Sequence, residues 1–216
     1  MKLGVLDYGA GNLRSVLNAI ATTGHQASLV TEPEHFEALD LLVFPGQGAF
    51  GDSVRILKAQ RLWEPLQTWL REGRPYLGFC LGYQLLFERS EECPGVRGLG
   101  FAAGDVRRFN KAAGLKIPHM GWNQVTVKDA SHPCWKGLDN PAHFYFVHSY
   151  HPRVENEGLV FCETTYGEPF ASGIAAPSLV AVQFHPEKSQ ANGLRLLENC
   201  IETLGSGVSS PAGQIA

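Results

Sequence analysis

Cys80 stands between two glycines in Gly78-Phe79-Cys80-Leu81-Gly82, directly after the apolar run Tyr76 to Phe79. A strand that turns tightly into a helix presents the residue at the join at the carboxyl edge of a sheet. Small neighbours permit that turn, as in the Gly-x-Ser-x-Gly nucleophile elbow, here with sulfur in place of oxygen. A thiol at a helix N-terminus also meets the backbone dipole, which favours thiolate. The alternative is a buried structural cysteine, the commoner fate of a lone thiol. A base and an acid for such a thiol stand in Ala-Val-Gln-Phe-His185-Pro186-Glu187. Pro186 forces His185 into an extended conformation, and residues i and i+2 of an extended segment face the same way. The Glu187 carboxylate can therefore reach the His185 imidazole. That supplies nucleophile, base and orienting acid for acyl transfer through a thioester, in the order Cys, His, Glu. The order differs from that of the α/β-hydrolases, where the acid precedes the histidine. The alternative for His185 is a surface histidine beside a proline.

Two glycine-rich stretches invite a nucleotide. Gly9-Ala10-Gly11 follows the apolar run Leu3 to Leu6, and Glu32 comes near the end of the next one, but Arg14 occupies the place of the third small residue of a dinucleotide fingerprint. Gly46-Gln47-Gly48-Ala49-Phe50-Gly51 fits Gly-x-Gly-x-x-Gly, yet it follows the third strand-like run, and the next strand ends in Cys80 rather than an acid. A loop beside a nucleophile has a second use, because its backbone N–H groups can face an oxyanion in the crevice shared by adjacent strand ends. That reading needs one N–H from Gly48 or Gln47 and one from Leu81. His143, His148 and His151 raise a metal site. His148 and His151 are an odd number apart, however, so on one strand they face opposite ways.

These residues need a scaffold, and the chain supplies one. It has 216 residues, 44% hydrophobic and 18% charged, enough for one well-cored domain. A net charge of −3 gives no electrostatic case for nucleic acid. Five scattered cysteines without a CxxC pair argue against a disulfide framework or zinc and for a reducing compartment. No signal-peptide core or membrane-length apolar run is present, so a soluble cytoplasmic protein is expected. Strands are predicted at Leu3 to Leu6, Ala27 to Val30, Leu41 to Phe44 and Tyr76 to Phe79. Helices are predicted at Leu13 to Thr23, after a cap at Asp52 or Ser53, at Arg61 to Glu72, and at Leu81 to Glu88. This alternation gives an α/β fold, an open, mostly parallel central sheet flanked by helices. From Gly104 strand-like runs dominate, at Asp105 to Phe109, Gln124 to Val127, His143 to Val147, Leu159 to Thr165 and Leu179 to Phe184, which adds antiparallel strands in the C-terminal half. A last helix is predicted from Gln190 to Leu204. Residues 1–204 are expected as one domain and 205–216 as a disordered tail.

Several segments together resemble the class I, or triad, glutamine amidotransferases, whose fold is flavodoxin-like. They are Asp7 to Val16, Pro45 to Gly51, Leu77 to Phe87, Ile117-Pro-His-Met-Gly-Trp-Asn123, Phe144 to Tyr150 and Gln183-Phe-His-Pro-Glu-Lys-Ser189, and they span nearly the whole chain. The elbow with His-Pro-Glu marks the class. Asp-Tyr-Gly-x-Gly-Asn, Pro-His-Met-Gly-Trp-Asn and His-Pro-Glu-Lys-Ser narrow the resemblance to the glutaminases of histidine biosynthesis. The resemblance implies that Cys80, His185 and Glu187 hydrolyse glutamine without a cofactor. It implies that Gly46, Gln84 and the backbone around His148, Ser149 and Tyr150 hold the substrate, with Glu92 toward its ammonium. It also implies a (β/α)8 cyclase partner that turns the ammonia into imidazole glycerol phosphate and AICAR, with Asn12, Met120, Trp122 and Lys188 at the interface. Gln47 and Tyr83 depart from the family pattern, which usually carries an apolar residue and a methionine there. A paralogue feeding another synthase, a Cys peptidase or amidase, and a nucleotide-binding domain are the competing readings.

Overall fold

The computed structural model describes residues 1–9, 11–110 and 114–206. The chain runs β1 (Leu3–Leu6), α1 (Leu13–Thr22), β2 (Ala27–Val30), β3 (Leu41–Phe44), α2 (Phe50–Ala59), α3 (Trp63–Arg71), β4 (Tyr76–Phe79) and α4 (Leu81–Gln84). It continues through β5 (Phe87–Ser90), β6 (Ala102–Arg108), β7 (His119–Val127), β8 (Ala142–His148) and β9 (Tyr150–Val154). It ends with β10 (Val160–Tyr166), β11 (Glu168–Ala176), β12 (Leu179–Val182) and α5 (Gln190–Gly205).

A nine-stranded sheet has the order β2-β1-β3-β4-β12-β11-β10-β7-β8. Its first five strands are parallel, and from β12 onward each neighbour is antiparallel. The parallel strands β1, β3, β4 and β12 are buried along their whole length. They read as unbroken apolar runs because both faces are covered. Val5, Val43, Leu77 and Val182 face one apolar cluster with Val16 and Ile20 of α1 and Leu197 and Ile201 of α5. Leu42, Phe44, Tyr76 and Ala181 face the other cluster, with Leu57 of α2 and Leu66 and Trp69 of α3. The carboxyl ends of β3, β4 and β12 thus lie side by side at the centre of the sheet, held between two packed layers.

The structure differs from the sequence expectations in five places. The helix expected from Leu81 to Glu88 is a single turn, α4, and Phe87–Ser90 is strand β5. Pairing of β5 with β6 in a second sheet, ordered β5-β6-β9, overrides the helix propensity of the segment. Strand β9 escaped prediction because Pro152 interrupts it; the proline is tolerated because β9 lies at the edge of that sheet. Strand β11 escaped because Pro169 and Gly173 obscure its alternation. A Cβ on Gly173 would lie 3.0 Å from the Ala181 carbonyl oxygen. The expected cap at Asp52 or Ser53 is supplied from a distance, since helix α2 starts at Phe50 and the Glu92 carboxylate accepts its N–H at 2.7 Å. Of the expected tail, Gly205 still belongs to α5, and residues 207–216 lie outside the described residues. No helix among the described residues is long and apolar enough to cross a membrane.

Candidate active site

Cys80 joins β4 to α4 with φ 51° and ψ −98°, a backbone conformation that L residues rarely hold. Its N–H donates to the Val182 carbonyl at 2.8 Å, and its own carbonyl closes the first turn by accepting from Tyr83 and Gln84 at 3.1 and 3.0 Å. The flanking glycines serve close approach. A Cβ on Gly82 would lie 2.1 Å from the Phe44 carbonyl oxygen, and one on Gly78 would lie 2.9 Å from the Gly82 carbonyl oxygen. Tyr76 Oη donates to that same Gly82 carbonyl at 2.6 Å, so the elbow is tied to the strand that enters it.

His185 follows β12, the parallel neighbour of β4, and a single 3-10 turn, Pro186–Lys188, comes next. Its Nδ1 lies 2.8 Å from Glu187 Oε1, with both side chains at most 3% exposed. Its N–H donates to the Tyr145 carbonyl at 2.9 Å. Ser189 Oγ donates to the His185 carbonyl and accepts from Tyr145 N–H, which pins the turn to β8. The other ring nitrogen, Nε2, is buried and has no hydrogen-bond partner among the described residues. Burial opposes a charged His185, but the Cys80 sulfur and the Glu187 carboxylate outweigh it and push the pKa up to about 10. A proton taken by His185 is therefore held there strongly.

A cavity of about 450 Å³ opens over the elbow. Gln47, Gly48, Cys80, Leu81, Gln84, Glu92, Tyr145, His148, Ser149 and Tyr150 are among the residues that line it. The sequence-predicted oxyanion residues thus share a cavity with the thiol. Leu81 opens α4, where N–H groups have no helical acceptor. Lys188 also borders this cavity, while Met120 and Trp122 stand on β7 at 61% and 48% exposure. Asn12 precedes α1 and is half-buried. Gly46 does not line the cavity. A Cβ there would lie 2.4 Å from Leu81 Cβ, so this glycine seats the loop against the elbow.

The three histidines of the metal reading are not gathered. His143 is exposed on β8, whereas His148 and His151 sit on separate strands and both pack on Phe109, with ring centroids 5.2 and 4.4 Å away. The expectation that they face apart fails because Ser149 separates β8 from β9. Burial pushes His119 down from 6.5 to about 4 and His148 well below its ordinary value. A histidine depressed on folding contributes stability that is complete above its unfolded pKa and is lost as pH falls toward the folded value. Urea unfolding should therefore show stability falling between pH 6.5 and about 4. His119→Phe should narrow its stability gap to the wild type over the same range.

The model of the family described as "Glutamine amidotransferase class-I" matches residues 4–204. The chain belongs to the class-I glutamine amidotransferase family. Among its relatives is "Imidazole glycerol phosphate synthase subunit HisH" of Methylococcus capsulatus, 46% identical over 203 residues, covering 90% of this chain and 93% of that one. The protein of that name from Aquifex aeolicus is 46% identical over 92% of this chain and 95% of its own. The one from Rhodopirellula baltica is 42% identical over 90% and 94%. A solved structure described as "Crystal structure of glutamine amidotransferase" superposes with a TM-score of 0.73 at 24% identity, covering 94% of this chain and 98% of that one, a likeness of fold.

In this amidotransferase three residues near the thiol went unnoticed in the sequence. Gln183, fully buried, donates from Nε2 to Cys80 Sγ at 3.5 Å. A signal was available, because Gln183 is two residues before His185 and shares its side of an extended segment. Tyr8 Oη donates to the Gln47 carbonyl at 3.3 Å, and burial, with the nearby Cys80 sulfur adding to it, raises the Tyr8 pKa to about 12. Ser189 is the third. Tyr8 carries no local signal, since its partner is 39 residues away, whereas Ser189 reaches back four residues to the His185 carbonyl as well as across to Tyr145. Tyr83, one of the departures from the family pattern, is buried against Phe87 and donates to the Ala171 carbonyl at 3.1 Å, so it serves the core.

Proposed function

We propose that the chain hydrolyses glutamine to glutamate and ammonia and passes the ammonia to a cyclase subunit. The observation that carries this reading is the buried His185–Glu187 pair at 2.8 Å, set beside a thiol on a strained elbow. Cys80 Sγ attacks the carboxamide carbon, and the carbonyl oxygen becomes an oxyanion facing Leu81 N–H and an N–H of Gly48 or Gln47. His185 takes the thiol proton and delivers it to the departing nitrogen, which leaves as ammonia. Glu187 holds the ring orientation and steadies the imidazolium. Water, deprotonated by His185, then attacks the glutamyl thioester and releases glutamate, and the proton returns to sulfur. Gln84, Glu92 and the backbone of His148, Ser149 and Tyr150 hold the amino-acid end.

The test is glutamine hydrolysis by Glu187→Gln, which keeps the shape but cannot steady an imidazolium. We expect kcat to fall about 10²- to 10⁴-fold, by the logic of other triads. A rate within threefold of wild type would remove Glu187 from the mechanism.

The naming of the relatives as imidazole glycerol phosphate synthase subunits supports a cyclase of histidine biosynthesis, a (β/α)8 enzyme making imidazole glycerol phosphate and AICAR, as the ammonia acceptor. Exposed Met120 and Trp122, with Asn12 and Lys188, are the proposed contacts. Large exposed apolar side chains in one patch suit a partner's pocket. Trp122→Ala and Lys188→Ala should each weaken binding to the cyclase about tenfold or more, measured by calorimetry. Unchanged affinity and unchanged stimulation of glutamine hydrolysis would strike either residue from the interface. All five cysteines are free thiols, which suits a reducing compartment such as the cytoplasm.

A further inference from the structure

A single chain of hydrogen bonds runs from β7 to the thiol, and its direction is determined at every link. Asn123 Oδ1 accepts from Gln124 N–H at 2.8 Å, so its amide nitrogen must be the donor to the Thr165 carbonyl at 2.9 Å and to His119 Nε2 at 3.1 Å. With Nε2 accepting, the His119 proton sits on Nδ1, which lies 2.9 Å from His148 Nε2. With His148 Nε2 accepting in turn, its own proton sits on Nδ1 and goes to the Tyr150 carbonyl at 2.8 Å. That carbonyl also takes one proton of Gln84 Nε2 at 2.8 Å. The second Gln84 proton goes to Gln183 Oε1 at 3.1 Å, which leaves Gln183 Nε2 to donate to Cys80 Sγ at 3.5 Å. His119, His148, Gln84 and Gln183 are all at most 6% exposed, so water offers little substitute for any of these bonds. His119 is also clamped between rings, with centroids 4.6 Å from Phe146 and 4.0 Å from Tyr166.

We propose that His119 and His148 are positioning residues whose locked neutral tautomers hold the Tyr150 carbonyl, and through Gln84 and Gln183 the Cys80 sulfur, in register for attack. The proposal rests on the reading of Cys80 as the nucleophile. Without the His119 donor, His148 Nε2 is a buried acceptor with no partner. Its ring is then free to change tautomer and release Tyr150. The amide dipole that Gln183 aims at the sulfur loses its anchor with it.

The test compares His119→Phe with His119→Asn in the full chain. Phenylalanine keeps the stacking and removes both nitrogens; asparagine can return a donor at the Nδ1 position. Two quantities are read: kcat and KM for glutamine with the cyclase subunit present, and the rate of Cys80 alkylation by iodoacetamide followed on the Cys80 peptide. For His119→Phe we expect about a tenfold loss in kcat and in alkylation rate, with KM raised as well because the released Tyr150 backbone also holds substrate, and for His119→Asn recovery of all three to within about threefold of wild type. Unchanged alkylation and kcat in His119→Phe, or an equal loss in His119→Asn, would overturn the proposal. If His119→Phe does not fold, Asn123→Ser removes the donor that sets the His119 tautomer and must lower both quantities at least about threefold; no change would overturn the proposal equally. Alkylation needs no glutamine. A wild-type chain that fails to hydrolyse glutamine, while alkylation of Cys80 still responds to these substitutions, would therefore overturn the proposed function and leave the positioning chain standing.

Discussion

Cys80→Ser is expected to lower glutamine hydrolysis by about 10³-fold or more while the melting temperature stays within a few degrees of wild type. The side chains are close in size, and the elbow is held by backbone contacts that a serine keeps: the Cys80 N–H to Val182 and the carbonyl that accepts from Tyr83 and Gln84. The chemistry does not survive the exchange. A hydroxyl is a weak nucleophile at its ordinary pKa, and sulfur is the atom whose negative charge helps to hold the His185 proton. With that charge gone, only the Glu187 carboxylate still opposes burial at His185, and its pKa should drop from about 10. NMR titration of the His185 ring in the variant measures this. Turnover that persists in Cys80→Ser would sink the nucleophile assignment, and an unshifted His185 would show that the sulfur is not its electrostatic partner.

Gly82→Ala is expected to cost about 3 kcal/mol or more, a fall in melting temperature of about 6–12 °C for a chain of this size, and to abolish activity with it. The added Cβ would lie 2.1 Å from the Phe44 carbonyl oxygen and 3.1 Å from its carbon. Neither atom can swing aside, because Phe44 is the last residue of β3 and its register on β4, Phe44 opposite Gly78, is that of the sheet itself. Relief has to come from α4, and moving α4 displaces Leu81 N–H and the Cys80 backbone together. Gly24→Ala is the control. Gly24 has φ +82° and nothing within 4 Å of where a methyl would sit, so only backbone strain of about 1 kcal/mol is expected there. Thermal melts of both variants with kcat at a permissive temperature decide the point. A Gly82→Ala melt no lower than that of Gly24→Ala would mean that the elbow yields where the geometry says it cannot.

The parts of the site that could be read from the sequence are the parts whose geometry is local. A strand-turn-helix join places Cys80 whatever surrounds it, and that holds in the structure. The Glu187 carboxylate meets the His185 imidazole two residues along, as expected, but it does so from a 3-10 turn, Pro186–Lys188, and not along an extended segment. The parallel core was legible for a related reason. Strands covered on both faces must be apolar throughout, as β1, β3, β4 and β12 are. Sequence went astray where a distant partner outweighed a local preference. Residues 85–88 favour a helix, yet the strand β5 pairs with β6; Pro152 argues against a strand, yet an edge accepts it.

The amino-acid sequence by itself offered a candidate nucleophile, base and acid and their order along the chain, and it determined the alternating layers that bring strand ends together, because the strand and helix periodicities and the turn at Cys80 follow from spacing over a few residues. The tertiary structure alone decided that Glu92 caps α2, that Gly46 and Gly82 are demanded by backbone contacts, and that Gln183 meets the sulfur. It also decided that two buried histidines are locked in one tautomer each, because a proton's place on an imidazole depends on which acceptor another strand sets opposite it.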